Sequence, residues 1–189
     1  MINIVIVGVG GQGTLLTSKL LGDIGLNIGY DVRVSEVHGM SQRGGSVITY
    51  VRLSNDLPLY SSLVEYSEAD IVLAFESLEA LRALPYLKKG GKMIVNSQEI
   101  LPMPVIVGAA EYPKNIIENL HERADVKAIN ATEITSECGT AKAANVVLLG
   151  VLSKLLPFSY GEWIDAIKNN VKPQFVDINI DAFNRGMEF

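Results

Sequence analysis

The chain has 189 residues, a formal net charge of −5, and 48% hydrophobic against 20% charged residues. This composition is typical of one folded domain rather than a disordered chain. Its single cysteine, Cys138, excludes an internal disulfide and an iron–sulfur cluster, which usually takes about four cysteines. A zinc site would need that cysteine or both histidines, His38 and His121, and no ligand spacing indicates one. We therefore predict a single domain over residues 1–189 with no metal site.

The charge balance also bears on partners and location. Net negative charge argues against nucleic acid, because neutralising phosphates takes clustered Lys and Arg. The N-terminal sequence MINIVIV has neither the basic start nor the cleavage site of a signal peptide. The longest apolar stretches, 100–110 and 143–152, are too short to cross a bilayer. We expect a cytoplasmic protein that binds neither nucleic acid nor membrane.

In chain order, the predicted elements alternate between strands and helices. Short β-branched or apolar runs predict strands at residues 4–7, 31–37, 46–53, 71–75, 92–96 and 126–129. Apolar residues at helical spacing predict helices at residues 14–25, 77–87, 113–124, 141–156, 159–171 and 177–188. The helix over 159–171 opens with a capping box, Ser159 to Glu162. Gly90 and Gly91 are predicted to end the helix over 77–87, and residues 105–107 to form a short strand.

This order of elements indicates the fold class. The third strand follows the second with no room for a crossover helix, so that pair is predicted to be antiparallel. The prediction is an α/β protein with three α/β/α layers and a mostly parallel, mixed sheet. Its N-terminus is a Rossmann-like strand, glycine turn and helix.

The first candidate site is the glycine turn GVGGQG at residues 8–13. Gly8, Gly10 and Gly13 have the G-x-G-x-x-G spacing between a strand and a helix, and Gly11 and Gln12 lie between them. Backbone amides in such a turn point at a bound anion, helped by the helix dipole. Glu36, at the end of the second strand, is near where a ribose-binding carboxylate would lie. The alternative is a tight turn whose glycines only permit close packing.

The second candidate site is the loop that follows Glu36. It brings His38, Ser41, Gln42 and Arg43 together between flanking glycines. Ligands of open α/β sheets bind at this carboxyl edge, and a guanidinium can hold a carboxylate or phosphate bidentately. The alternatives are a partner contact and a rigid turn whose polar groups satisfy one another. No set of nucleophile, base and orienting group is readable, so no catalytic residue is predicted.

Two residues near the strongest helix have open roles. Cys138 lies just before that helix and is either a thiol of lowered pKa or a small buried hydrophobe. Asn145 lies in an otherwise apolar helix, where it either caps a backbone group or faces a partner. His121 is expected on a solvated helix face.

The chain resembles a known family in its motifs. Residues 6–14 read IVGVGGQGT, residues 36–47 read EVHGMSQRGGSV, and residues 70–82 read DIVLAFESLEALR. Further matches are IVNS at 94–97 and NVVLLG at 145–150. Together they resemble the gamma-type module of the 2-oxoacid:ferredoxin oxidoreductases. The wording of residues 38–45 is similar to the small (beta) subunit in the indolepyruvate branch.

The resemblance implies oxidative decarboxylation of an aryl 2-oxoacid, such as indolepyruvate, to its acyl-CoA, with electrons passing to ferredoxin. It implies thiamine diphosphate, Mg²⁺ and iron–sulfur clusters on a large (alpha) partner subunit, and CoA as co-substrate. The chain alone is then expected to be inactive, and to form a hetero-oligomer. The residues expected to face CoA, substrate or partner are Gly8, Gly10, Gly11, Gln12, Gly13, Glu36, His38, Ser41, Gln42 and Arg43. The alternatives are a free-standing nucleotide-binding regulatory module and a purely structural subunit.

Overall fold

The computed structural model describes residues 1–39, 45–137 and 143–189. Within these ranges the strands are β1 (Ile2–Val9), β2 (Asp31–His38), β3 (Ser46–Ser54), β4 (Ala69–Ala74), β5 (Leu87–Asn96) and β6 (Asp125–Ile129). The helices are α1 (Thr14–Asn27), α2 (Ser77–Ala83), α3 (Met103–Ile106), α4 (Ile116–His121), α5 (Ala131–Glu137), α6 (Ala144–Ser153), α7 (Tyr160–Asn170) and α8 (Val176–Met187). In this part of the chain no helix is long and apolar enough to span a membrane.

The six strands form one sheet in the order β2-β3-β1-β4-β5-β6. β3 runs antiparallel to both of its neighbours, whereas β1, β4, β5 and β6 pair in parallel. β2 therefore points the same way as β1, and five strands end at one carboxyl edge. The predicted antiparallel pair and the mixed sheet are confirmed.

Helices cover both faces of the sheet because the strand side chains alternate between two apolar clusters. Ile4 and Ile6 pack into a cluster with α1, α6, α7 and α8, whereas Val5 and Val7 face the cluster under α2 and α4. All four β1 side chains are buried, which explains the continuous β-branched run. The three-layer prediction is confirmed.

Two outer helices meet unusually closely. α6 crosses α8 at Gly150 and Gly186, where a Cβ on Gly150 would lie 2.8 Å from the Gly186 Cα and overlap the carbonyl oxygen of Phe183. A Cβ on Gly186 would overlap the carbonyl oxygen of Val147 in turn. The crossing therefore requires glycine on both helices.

Several predicted bounds were wrong, each for a local reason. α2 ends at Ala83, a 3₁₀ turn follows at Leu84–Tyr86, and Gly90 and Gly91 belong to β5 instead of ending a helix. Gly90 has φ +80°, and the β4–β5 register shifts opposite it, between Ala69 and Ile71. These glycines thus mark a strand irregularity rather than a helix cap.

The other corrections concern helices. Residues 105–107, predicted as a strand, include the end of α3, because a proline in the first turn favours a short helix. α4 is shorter than predicted, and Pro113 lies outside it. α5 was not predicted, although Asn130 and Glu133 form a side-chain-to-backbone cap at its start. The Ser159–Glu162 capping box of α7 is confirmed.

Candidate functional site

A cleft lies at the carboxyl edge between β1 and β4. The chain leaves β1 toward β2 and β3 on one side and returns to β4 on the other, which makes this the topological switch point of the sheet. The cleft encloses about 410 Å³. Its lining comes from the ends of β1, β4 and β5 and the starts of α5 and α6: Gly11, Gln12, Gly13, Phe75, Asn96, Gln98, Ile100, Thr132, Ala144, Asn145 and Leu148.

The glycine turn forms one wall of the cleft, and its glycines have separate roles. Gly11 and Gly13 have φ of +100° and +91°, which L side chains rarely adopt. A Cβ on Gly8 would lie 2.9 Å from Gln12 Oε1 and 3.1 Å from Phe75 Cβ. Close packing therefore explains Gly8, whereas Gly11 and Gly13 set the path of the turn into α1.

Gln12 fastens this turn to the neighbouring strand. Its Oε1 accepts a hydrogen bond of 2.7 Å from the Val9 amide, and its Nε2 donates to the Phe75 carbonyl at 2.9 Å. The same Nε2 is 3.3 Å from Gln98 Oε1. These bonds use both the oxygen and the nitrogen of the Gln12 amide. The side chain therefore orders the floor of the cleft.

Hydrogen-bond donors without partners gather where α1 begins. Gly13 is the N-cap, no side chain among the described residues caps the helix, and its first turn has no acidic residue. The first amides of α1 therefore retain free donors and the positive end of the helix dipole. Beside them, Asn145 is 5% exposed and lines the cleft, and its side chain forms no hydrogen bond with the described residues. A primary amide that lines a cleft and has no partner among these residues suits a polar ligand.

The cleft combines an apolar lining with neutral polar groups. Amides and a hydroxyl from Asn96, Gln98 and Thr132 join Gln12 and Asn145, and none of the described lining residues carries a formal charge. Such a site favours a ligand with several neutral hydrogen-bonding groups, together with an anion at the α1 terminus.

A backbone hydrogen bond joins the glycine turn to the end of the second candidate site, the loop that follows Glu36. The Gly10 amide donates to the Gly45 carbonyl at 2.9 Å, and the Gly39 amide donates to the Ser46 carbonyl at 3.0 Å. Ser46 Oγ in turn donates to Glu79 at 2.5 Å. His38 ends β2 at this same edge. Ser41, Gln42 and Arg43, like Cys138, lie outside the described residues.

Glu36 does not lie where a dinucleotide fold would need it. β3 separates β2 from β1, whereas in that fold the second strand is the direct neighbour of the first. The Glu36 carboxylate instead accepts a hydrogen bond from Thr49 Oγ1 on β3, at 3.1 Å. The strand order therefore does not support Glu36 as a ribose-binding carboxylate.

A buried carboxylate beside the cleft was missed by the sequence reasoning. Glu76 follows β4 and is 1% exposed, and it accepts hydrogen bonds from the Glu79 amide, the Ile100 amide and Tyr112 Oη. Burial, together with this bond to Glu76, raises the pKa of Tyr112. In the sequence, the one feature that could have indicated Glu76 was its position just after a buried strand.

Comparison with known proteins identifies the family. The pyruvate ferredoxin/flavodoxin oxidoreductase family matches residues 3–189. The chain belongs to this family. A protein of Thermococcus kodakarensis named indolepyruvate oxidoreductase subunit IorB is 44% identical over 193 residues, 98% of this chain and 94% of that protein.

Solved structures of the oxidoreductase family share the fold. The keto/oxoacid ferredoxin oxidoreductase gamma subunit of Geobacter sulfurreducens has a TM-score of 0.73 at 23% identity, covering 100% of this chain and 97% of that chain. A 2-oxoglutarate:ferredoxin oxidoreductase chain of Magnetococcus marinus has a TM-score of 0.78 at 19% identity. The alignment covers 99% of this chain and 30% of the Magnetococcus marinus chain. The predicted family and fold are confirmed, and the chain is an oxidoreductase subunit.

Proposed function

We propose that the chain is the small subunit of an indolepyruvate:ferredoxin oxidoreductase. The complex would decarboxylate aryl 2-oxoacids oxidatively, form the aryl acyl-CoA and pass two electrons to ferredoxin. The observation that carries this proposal is the 44% identity to an IorB subunit over 98% of the chain. A single domain over residues 1–189 and a cytoplasmic location belong to the same proposal.

The redox cofactors would reside on the large (alpha) subunit. One cysteine is too few to hold an iron–sulfur cluster. In residues 1–39, 45–137 and 143–189, no three His, Cys, Asp or Glu side chains are grouped to hold a metal ion. Thiamine diphosphate with its Mg²⁺, bound to the partner, would supply the decarboxylation chemistry. The small subunit alone would therefore be inactive.

The contribution of this chain would be to bind and orient CoA at the carboxyl edge. The amide groups of CoA suit the neutral side chains of the cleft, and its phosphates suit the uncapped start of α1. The unpartnered Asn145 amide would complete the contacts. Gly8, Gly10, Gly11, Gln12 and Gly13 would form the cradle, with Gln12 acting through the turn it fastens.

The loop that follows β2 would contact the 2-oxoacid or the large subunit rather than CoA. Glu36 and His38 lie near the end of β2, at the same edge of the sheet, and Ser41, Gln42 and Arg43 follow them in the sequence. The edge also carries exposed large hydrophobic side chains: Leu101, Met103, Ile106 and Val107. Exposed apolar side chains clustered in this way are typical of protein interfaces. We infer that the large subunit covers this edge.

Co-purification with the large subunit tests the assignment. The complex should oxidise indolepyruvate with CoA and ferredoxin, whereas either subunit alone should not. Asn145→Ala should raise the KM for CoA about tenfold and leave complex assembly unchanged, because a buried hydrogen-bond donor to the ligand is lost. Asn119→Ala, which removes a half-buried amide on α4 outside the cleft, is the matched control.

Other outcomes would favour the alternatives. Binding of NAD(P), FAD or ATP to the isolated chain would support a nucleotide-binding regulatory module. Unchanged kinetics for CoA and oxoacid in Asn145→Ala and Arg43→Ala complexes would support a purely structural subunit. Failure to bind the large subunit would remove the main proposal.

A further inference from the structure

One buried carboxylate oxygen joins the two ends of a surface loop. Glu76 Oε1 accepts a hydrogen bond from the Ile100 amide at 3.1 Å and another from Tyr112 Oη at 2.5 Å. These residues begin and end the segment over 100–112, which leaves the sheet after β5. The second oxygen, Oε2, accepts from the Glu79 amide at 2.8 Å and caps α2. The side chain therefore ties the loop to a helix.

The interior of this loop is ordered by its own backbone. The amides of Val105 and Ile106 donate to the Pro102 carbonyl, and those of Ala109 and Ala110 donate to the Pro104 carbonyl. Gly108 has φ +74°, which suits the reversal after α3. Because the segment is ordered internally, its placement on the sheet depends on the contacts at its two ends.

The beginning of the loop reaches the cleft. Ile100 lines the cleft directly, as does Gln98 two residues before it. The Gln98 carbonyl accepts from the Ser77 amide at 3.0 Å, next to the Glu76 bond to Ile100. Gln98 Oε1 also contacts Gln12 Nε2 of the glycine turn. A shift at Glu76 would therefore pass to the cleft wall through two residues.

We propose that Glu76 is a positioning residue that holds the loop over 100–112, whose first residue Ile100 lines the cleft, and thereby sets the affinity of the cleft for its ligand. This inference rests on the proposed binding of CoA in the cleft. Glu76 does not line the cleft itself, so it acts only through Ile100, Gln98 and Tyr112. A carboxylate fits this task better than an amide because all three of its partners are donors.

The test uses Tyr112→Phe in the assembled complex, since this change removes one hydroxyl and leaves both the ring and the α2 cap in place. The control is Tyr160→Phe, whose hydroxyl donates to the exposed Asn184 on α8. Loss of a hydrogen bond to a charged acceptor should speed amide exchange over 100–112 about tenfold. The KM for CoA should rise roughly three- to tenfold with kcat almost unchanged.

Glu76→Gln provides a second variant that keeps the size of the side chain. It should loosen the same segment and raise the same KM, less than Glu76→Ala does, since one carbonyl oxygen still accepts. The control variant should change neither exchange nor kinetics.

Each outcome decides the inference. Unchanged exchange over 100–112 in Tyr112→Phe would overturn it, as would faster exchange without any change in the KM for CoA. A fall in kcat alone would also contradict it, because positioning of a binding wall acts on affinity. Failure of the proposed function would look different: the unmodified complex would not use CoA, whatever the exchange data for the loop.

Discussion

A methyl group at Gly13 should disturb the cleft in two separable ways. Gly13 has φ +91°, so Gly13→Ala places a Cβ in a backbone conformation that costs about 1–2 kcal/mol. That Cβ would also lie 2.7 Å from Asn145 Nδ2 and 3.1 Å from Asn145 Cγ. Real Cβ contacts are almost never this short, so the Asn145 side chain must move. Since Asn145 is buried, its displacement adds about 1 kcal/mol.

Gly11→Ala is the matched control for the backbone cost. Gly11 has φ +100°, and a Cβ there would meet no atom within 4 Å. We expect Gly11→Ala to lower the free energy of unfolding by about 1–2 kcal/mol. Gly13→Ala should lower it by about 2–3 kcal/mol, the sum of both costs. The difference between the variants isolates the contact with Asn145.

Urea denaturation of the four proteins in a double-mutant cycle measures this contact. In the Asn145→Ala background, Gly13→Ala should cost no more than Gly11→Ala, because the colliding amide is absent. The coupling free energy between Gly13 and Asn145 should then be about 1 kcal/mol. Equal costs for Gly11→Ala and Gly13→Ala in the unmodified background, or a coupling of zero, would refute the geometry of the cleft.

Two further predictions concern regions away from the cleft. Gly150→Ala should separate α6 from α8 and lower the Tm by several degrees, since overpacking costs about 1–3 kcal/mol. Gly161→Ala, whose Cβ would meet nothing nearer than Ser159 Oγ at 4.0 Å, should leave the Tm unchanged or raise it; a similar loss in both would contradict the close crossing. The hydrogen bond between the Tyr86 and Tyr50 hydroxyls, with burial second, raises the pKa of Tyr86 to about 12. The stability that the neutral Tyr86 hydroxyl contributes is therefore fully present below about pH 10 and is lost as the pH rises through about 12. A profile of the free energy of unfolding against pH for Tyr86→Phe should lack that loss.

Local sequence patterns were sufficient to predict the sheet. Buried strands of a parallel sheet need nearly continuous apolar runs, and β1 and β4 have them. The short link between β2 and β3 excluded a crossover helix, which correctly predicted the antiparallel pair. The capping box at Ser159 was equally local, because both of its hydrogen bonds span three residues.

The details of the cleft depend on contacts that no local pattern encodes. Glu76 meets partners 24 and 36 residues away in the chain, and Asn145 approaches Gly13 from a different helix. The helix α3 shows a second limit, because its Val and Ile residues have strand propensity whereas Pro104 in the first turn favours a helix. Spacing predicted the glycine turn, but the partners of each side chain come from the tertiary structure.

The antiparallel strand β3 distinguishes this glycine turn from the one in a dinucleotide fold. In a dinucleotide fold, the second strand lies beside the first and brings its acidic residue to the ribose of the ligand bound over the glycine turn. Here β3 occupies that neighbouring position and its side chain Thr49 holds Glu36, so the β2 side of the turn offers no such carboxylate. The open side of the turn is therefore the crevice toward β4 and β5, where Gln12, Gln98 and Asn145 lie. Under the proposed function, the glycine spacing thus predicts where an anion would bind, whereas the strand order predicts which side the rest of the ligand would occupy.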